Sequence, residues 1–318
     1  MLGEKAERVE FPAGRSRRSV RVHLPGRAVI ATCRRSRARA ANEVRVLRAL
    51  GAAGAPVPAV LAWRDGWLIQ EDLGGTRLSA AMADAGRDDV ERALDAALAA
   101  LARCHEAGRA AGLGKGAATL GAATDWRATF ATMPGRIGDA TGVAPPAIDS
   151  ARLADGVLPR TVAFVKWDAR PGNAIVRDTG RVAWFDWEHA GVRSPLDDVA
   201  WLLGDEYVGD LPGIEHALLA RHLAAFAGDL DDDAARDYLM TVLCLHACVR
   251  LALILSYRLR DGRWWDRRQT IREDRVGVDI GYALTLCAKA GRWARETRLT
   301  RPLSPWFADV AERIRANG

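Results

Sequence analysis

The chain has 318 residues, 49% of them apolar, and sets 46 Lys and Arg against 40 Asp and Glu for a formal charge of +6. That length and composition suit one large or two small folded domains and exclude a disordered chain. The basic excess is mild and is carried almost wholly by arginine, since Lys5, Lys115, Lys166 and Lys289 are the only lysines; a balance like this singles out no polyanionic partner. The five cysteines (Cys33, Cys104, Cys244, Cys248 and Cys287) are odd in number, widely spaced and without a CxxC pair, which argues against a disulfide framework or a zinc site. Cys244, His246 and Cys248 fall close together, but on a helix His246 points away from the two thiols, and core packing is the expectation. The opening "MLGEKAERVEF" has no apolar targeting core, and "LALILSY" between Arg250 and Arg258 is expected to fall far short of a bilayer span. A cytoplasmic chain with reduced thiols and no membrane partner is predicted.

In chain order, "SVRVHL" (19–24) alternates, "PG" turns, and "RAVIATCR" (27–34) is apolar and β-branched, so a hairpin is predicted. "SRARAANEVRVLRALG" reads as a helix, with Ser36 as N-cap, Gly51 as the stop, and an apolar stripe of Ala40, Val44, Leu47 and Leu50. Glu43 sits on or beside that stripe and needs a cationic or hydrogen-bonding partner, for which Arg34 and Arg35 are at hand. "PVPAVLAW" and "GWLIQEDL" form a second hairpin through "RDG" (64–66), and "GG" at 74–75 breaks the pattern. Residues 7–73 are thus expected to make a small antiparallel sheet with one helix. From 76 the chain turns mostly helical. In "DDVERALDAALAALARCHEAG" His105 continues the apolar stripe and reads as a core histidine. "AGLGKGAATLG" (111–121) is read as a loop, because GxxxxGKS/T is not satisfied and no strand precedes it. Strands are expected at 161–165, 173–176 and 182–187. Helices follow near 196–208, 211–227, 232–260, 279–297 and 303–316, with Asp231 to Asp233 complementing a helix dipole or offering a surface to a cationic substrate.

The chemistry concentrates in "FVKWDARPGNAIV" (164–176) and the "FDWE" that follows. Asp168 lies in the loop before a hairpin, Asn173 enters its first strand, and Asp186 leaves its second. A hairpin brings its ends together, so an amide oxygen and a carboxylate become neighbours. That pair suits a hard, oxygen-loving cation such as Mg²⁺, and Asp168 is left to act as a base.

D-A-R-P-G-N (168–173), with "DWE" at 186–188, resembles the catalytic and metal loops of the protein-kinase-like superfamily, most closely its aminoglycoside phosphotransferase and choline kinase branch. "HAGVRSPLDDVAWLL" (189–203), "LARCHEAG", "GAPVPAVLA" and "WLIQEDLGG" are similar to other segments of that branch, and the likeness spans most of residues 8–208. It implies an α+β, bilobal protein-kinase-like fold. Residues 1–73 would be a small antiparallel-sheet lobe with one helix that binds nucleotide. Residues 74–318 would be a larger, mostly helical lobe with the catalytic loop and acceptor pocket.

The resemblance also implies roles. Asp168 orients the acceptor hydroxyl and takes its proton, and Arg170 neutralises charge on the transferring phosphoryl group. Asn173 and Asp186 hold Mg²⁺ on the phosphates of ATP. Arg34 stands where the family carries a phosphate-gripping lysine, paired to Glu43, and Ser16 lies in "AGRSRRS" (13–19), the expected phosphate-covering loop. Adenine would meet the backbone near Glu71–Leu73. Trp201, Asp205, Glu206, Trp264 and Trp265 are candidates for the acceptor pocket, or for core. The chain departs from the family at Lys166–Trp167, where His-Gly is usual. The expected activity is transfer of the γ-phosphoryl group of ATP to a hydroxyl of a sugar, amino sugar, aminoglycoside or amino alcohol, by a monomer or homodimer. A non-catalytic, nucleotide-binding pseudokinase is the alternative. A nucleic-acid binder using the Arg15–Arg48 cluster is a third class, but the chain shows no reader motif and nucleic acid is not an expected partner.

Overall fold

Alternation builds the first sheet. In β2 (Ser19–Leu24) and β3 (Arg27–Cys33), Leu24, Val29 and Ala31 turn inward and meet Ile69 of β5 (Trp67–Glu71), with Val20, Val22 and Ala62 packed beside them. With β1 (Arg8–Glu10) and β4 (Val60–Arg64) they form an antiparallel five-stranded sheet in the order β1-β2-β3-β5-β4. The β4–β5 turn has Asp65 at φ 53° and Gly66 at φ 81°, two successive positive values that match the twist of a tight hairpin. The computed structural model describes residues 2–12, 18–121 and 123–317. These gather into two compact units, one of Met1–Ala117, Ala163–Gly191 and Arg272–Asp274, the other of Ala118–Val162, Val192–Ile271 and Arg275–Gly318.

In the first unit, α1 (Arg37–Ala52) opens at Ser36, whose Oγ accepts the Arg39 N–H at 3.3 Å. It buries Ala40, Val44, Leu47 and Leu50 as expected. The helix runs past Gly51, the expected stop, because the left-handed residue that releases the chain is Gly54, at φ 72°. After β6 (Thr76–Arg77) come α2 (Leu78–Ala83) and the long α3 (Arg87–Ala110). β7 (Ala163–Val165) leads to the catalytic-loop candidate; a 3₁₀ turn at Pro171–Asn173 then feeds β8 (Ala174–Val176), and β9 (Val182–Trp184) returns antiparallel with Ala174 opposite Trp184. β6 adds to β8 to complete a three-stranded sheet; two residues long, it left no pattern to read in the sequence. Indole hydrogen bonds and close packing fix this hairpin. Trp184 Nε1 donates to Ala97 O of α3 at 3.1 Å, Trp187 Nε1 donates to Trp184 O at 2.9 Å, and Trp187 stacks on Phe164. Gly108 of α3 lets the helix approach, since a Cβ there would lie 2.2 Å from the Phe164 ring.

The second unit is helical: α4 (Thr124–Ala131), α5 (Met133–Thr141), α6 (Ser150–Gly156), α7 (Pro195–Leu203), α8 (Pro212–Ala227), α9 (Asp232–Asp261), α10 (Arg267–Arg272), α11 (Ile280–Glu296) and α12 (Leu303–Ala316). α9 is its axis, packed by α5, α7, α8 and α11. Asp231 caps α9 by accepting the Ala234 N–H at 2.8 Å, the helix-end role open to the aspartate run. By length and composition α9 could cross a membrane, which corrects the expectation drawn from Arg250 and Arg258. The apolar run extends upstream of Arg250, and 78% of its most apolar stretch is buried inside the protein. Cys244, His246 and Cys248 are all buried on it. His246 packs on Trp201 with ring centroids 4.5 Å apart, and all five cysteines are free thiols.

Candidate active site

Arg34 follows directly on β3 and organises the site. Its Nε and Nη2 donate to the two oxygens of Glu43, each at 2.7 Å, a bidentate pair of the kind arginine favours. Nη2 also reaches Asp186 Oδ1 at 2.8 Å and Nη1 reaches Glu188 Oε1 at 2.9 Å. The Trp187 N–H donates to Glu43 Oε1 at 3.2 Å, which ties α1 to the chain leaving β9. Of the two candidate partners for Glu43, then, Arg34 is the one used. Glu43 is fully buried. Burial pushes its carboxyl above the usual range, although Arg34 pulls the other way. Burial also opposes ionisation of Asp186, but Arg34 and Lys166 outweigh it and hold that carboxyl below the usual range. On Arg34 burial favours loss of the proton, and the three carboxylates more than reverse this, so the guanidinium stays charged.

The catalytic-loop candidate is braced from inside. Asn173 Nδ2 donates to Asp168 Oδ2 at 2.8 Å and to Asp168 O at 3.0 Å, so one amide sets both the turn and the carboxylate. The Phe185 N–H donates to Asn173 O at 3.0 Å, placing the residue before Asp186 against the residue expected to share its metal. Asp186 sits at φ 59° and Trp167 at φ 58°, left-handed values that are uncommon for residues with a Cβ. Lys166 is fully buried; its Nζ donates to Asp186 O at 2.5 Å and lies 5.3 Å from the Trp187 ring centroid. Lys166 therefore holds the aspartate's backbone in place and adds to the positive potential on its carboxylate.

Arg170 is engaged elsewhere. Its Nη2 donates to Asp274 Oδ1 at 2.6 Å, and Arg77 Nη1 reaches Asp274 Oδ2 at 2.9 Å and Gly172 O at 3.2 Å. Glu71 ends β5, where its N–H donates to Ala59 O at 2.9 Å and its carboxylate meets the Ala59 N–H and Arg177. The backbone of Asp72 and Leu73 makes no hydrogen bond to other described residues. Ser16 lies outside the described residues.

Arg34, Glu43 and Asp186 thus join one network, Asp168 and Asn173 join another on the same hairpin, and Glu71 and Leu73 stand apart. Sequence reasoning gave no role to Glu188, Lys166, Arg77 or Asp274. Glu188 was visible in "DWE", whereas Asp274 lies far along the chain with no motif around it. In the second unit, Glu206 is not open to a cationic acceptor. Arg250 binds both its oxygens at 2.6 and 2.7 Å, and the Gly277 N–H donates to it at 2.9 Å.

Two oxygens are left for a hard cation: Asn173 Oδ1 and Asp186 Oδ2 accept no hydrogen bond from a described residue. Among the described residues no group of three or more His, Cys, Asp or Glu is placed to hold a metal. Mg²⁺ needs no such cage, because it is commonly held by one or two protein groups with phosphate and water completing the shell. A cavity of about 810 Å³, lined by Pro56, Leu73, Gly75, Arg103, Arg177 and Arg181 among others, includes none of Asp168, Asn173 or Asp186; here size does not mark the chemistry.

A family model described as APH, phosphotransferase enzyme family, matches residues 7–239. The chain belongs to this family. Among solved structures this phosphotransferase is similar to an aminoglycoside phosphotransferase from Alicyclobacillus acidocaldarius, with 13% identity, 98% of this chain and 93% of that chain covered, and a TM-score of 0.56. A macrolide 2′-phosphotransferase from Brachybacterium faecium matches at 18% identity, 87% and 93% coverage and a TM-score of 0.53. A choline kinase from Streptococcus pneumoniae matches at 15% identity, 88% and 94% coverage and a TM-score of 0.52. At these identities the likeness speaks for the fold, and it bears out the α+β, protein-kinase-like class read from the sequence. A search of curated proteins found no match.

Proposed function

We propose that this phosphotransferase moves the γ-phosphoryl group of ATP to a hydroxyl of a small molecule, with Mg²⁺ as cofactor. The observation that carries the proposal is the hairpin itself: Asn173 holds the Asp168 carboxylate at one end, and Arg34 holds Asp186 against Glu43 at the other. Asp168 accepts the hydroxyl proton. The acceptor oxygen forms a bond to the γ-phosphorus as the bond from that phosphorus to the β,γ-bridging oxygen breaks, and ADP leaves. Asn173 Oδ1 and Asp186 Oδ2 would hold Mg²⁺, which supplies charge neutralisation on the phosphates. The unbonded backbone of Asp72 and Leu73 offers a donor and an acceptor to the adenine edge. Arg34 contributes positive charge to the phosphates while it keeps Glu43 neutralised. Aminoglycosides, macrolides and choline, the substrates in the neighbours' names, indicate the acceptor class to try first.

ADP release tests this across sugars, aminoglycosides, macrolides and amino alcohols. Wild type should turn over at least one of them, and Asp168→Ala should lower turnover by about 10²- to 10⁴-fold, the usual worth of a positioned general base. Turnover that survives Asp168→Ala would sink the assignment. One observation favours the second reading, a nucleotide binder without turnover: Arg34 already occupies one oxygen of Asp186. Mg²⁺-ATP binding with no ADP release across the same panel would select it.

A further inference from the structure

Asp274 is an acidic group in contact with the catalytic-loop candidate that comes neither from the hairpin nor from α1, and it lies beyond residues 7–239, the stretch matched by the family model. It is 5% exposed and sits at φ 47°, a left-handed value for a residue with a Cβ. One oxygen binds Arg170 of the loop at 2.6 Å and the other binds Arg77 at the start of α2 at 2.9 Å. Arg77 in turn donates to Gly172 O at 3.2 Å, inside the same loop. Gly172 has no room for a side chain: a Cβ there would lie 2.0 Å from Asp274 Oδ1 and 2.7 Å from Arg170 Nη2. One carboxylate therefore bridges two guanidiniums and is pressed against the backbone between Arg170 and Asn173.

We infer that Asp274 is a positioning residue of the phosphoryl-transfer site, acting through Arg170. It fixes the guanidinium two residues beyond Asp168, and with Arg77 it fixes the turn from which Asn173 projects. The aspartate reaches this loop from 104 residues beyond Arg170 and does so from a left-handed backbone conformation. Such an arrangement persists where the surroundings over-determine it, and such positions cluster at working sites. The inference deepens the kinase reading and rests on it for its kinetic consequence. Its structural consequence can be measured without any turnover.

Two measurements separate the two ideas. In the first, intact protein is treated with phenylglyoxal, an arginine-selective reagent, and modification of Arg170 is followed by peptide mass spectrometry, with exposed Arg181 as internal reference. Arg170 should be protected in wild type and should react severalfold faster in Asp274→Ala, with Asp274→Asn between them, while Arg181 does not change. Equal Arg170 reactivity in wild type and Asp274→Ala overturns the inference, whether or not the protein proves to be a kinase. In the second, run on any acceptor that wild type phosphorylates, Asp274→Ala should lower kcat by up to about 100-fold, the scale of a misplaced catalytic group, and leave the nucleotide KM unchanged. The Arg170→Ala/Asp274→Ala double variant should be no slower than Arg170→Ala alone. Unchanged kcat in Asp274→Ala, or additive losses in the double variant, overturns the inference, since a purely structural role would move stability without this pattern. Absence of turnover by wild type counts against the kinase reading alone.

Discussion

In the first unit one guanidinium, that of Arg34, serves three carboxylates, and two of these, Asp186 and Glu188, keep 28% and 19% of their side-chain surface in water. In the second unit Arg250 binds both oxygens of Glu206, with 8% and none of their side-chain surfaces exposed, and a backbone N–H also donates to that carboxylate. Arg193 there pairs with Asp197 and donates its remaining groups to Leu120 O and Val157 O, while the Tyr238 hydroxyl donates to Asp197. Backbone conformation divides the same way. The non-glycine residues at positive φ among those described, Asp65, Trp167, Asp186 and Asp274, all belong to the first unit. A surplus of carboxylates open to solvent leaves capacity for another cation. A buried carboxylate whose oxygens are already taken by a guanidinium and a backbone donor leaves none. Positive φ and unbalanced charge coincide on the hairpin that carries Asp168 and Asp186, which sets it apart from the charge pairs of the second unit.

The largest effect should come from breaking a sealed pair. Removing Glu206 takes from the buried Arg250 the carboxylate that binds it through both oxygens, so Glu206→Ala should destabilise the protein by about 3–5 kcal/mol. Glu188→Ala, which takes away one of three acceptors on a partly solvated network, should cost no more than about 1 kcal/mol. Urea midpoints of the two variants measure the difference. Equal losses would break the contrast between the units.

Much of this was legible in the sequence. Alternation in "SVRVHL", the cap at Ser36, and the spacing of Asp168, Asn173 and Asp186 each depend on neighbours a few residues away. That is the range over which pattern reports structure, while the fold class came from the resemblance carried by those motifs. Glu43 was flagged correctly because a carboxylate on an apolar stripe needs a partner, and Arg34 was near enough to be named. Asp274 was out of reach, because nothing local ties it to a loop more than a hundred residues earlier; only tertiary packing does. For Glu206 the sequence left acceptor pocket and core both open, for a related reason. Its partner Arg250 lies on α9, 44 residues along the chain, and only tertiary packing brings the two together. The role of Lys166 emerged only with the backbone turned so that its amine meets the Asp186 carbonyl.

The second unit should also carry a pH dependence that its sealed character dictates. Burial, reinforced by the nearby Arg250 charge and opposed by Glu206, brings the His246 imidazole from 6.5 down to about 3. The folded protein therefore keeps this histidine neutral between pH 6.5 and 3, while the unfolded chain takes up the proton. The stability from this group is complete above pH 6.5 and falls as the pH falls, by about 2 kcal/mol at pH 5. Glu206, held near 2 by Arg250 against the effect of burial, adds its own loss only below its unfolded value of 4.5. Thermal midpoints recorded from pH 7 to pH 5 should drop in wild type and stay nearly level in His246→Leu. A slope that persists in the variant would move the acid sensitivity out of this region and weaken the contrast.

The smallest effect bears on the strain itself. Trp167 stands at φ 58° where the resembled family usually carries glycine. A left-handed residue with a Cβ costs about 1–2 kcal/mol, which glycine avoids. Replacing the indole outright would confound that cost with lost packing, so the informative comparison is Trp167→Gly against Trp167→Ala, both of which lack the ring. At an ordinary position glycine is less stable than alanine, by about 0.5–1 kcal/mol in a helix or strand. At Trp167 the order should invert, with the glycine variant the more stable by about 1 kcal/mol in chemical denaturation. If strain and catalysis are coupled here, the two variants should also differ in ADP release once an acceptor is known, because the residue they alter adjoins Asp168. If alanine proves the more stable, the backbone at Trp167 is not strained, and the coincidence of strain with surplus charge rests on Asp186 and Asp274 alone.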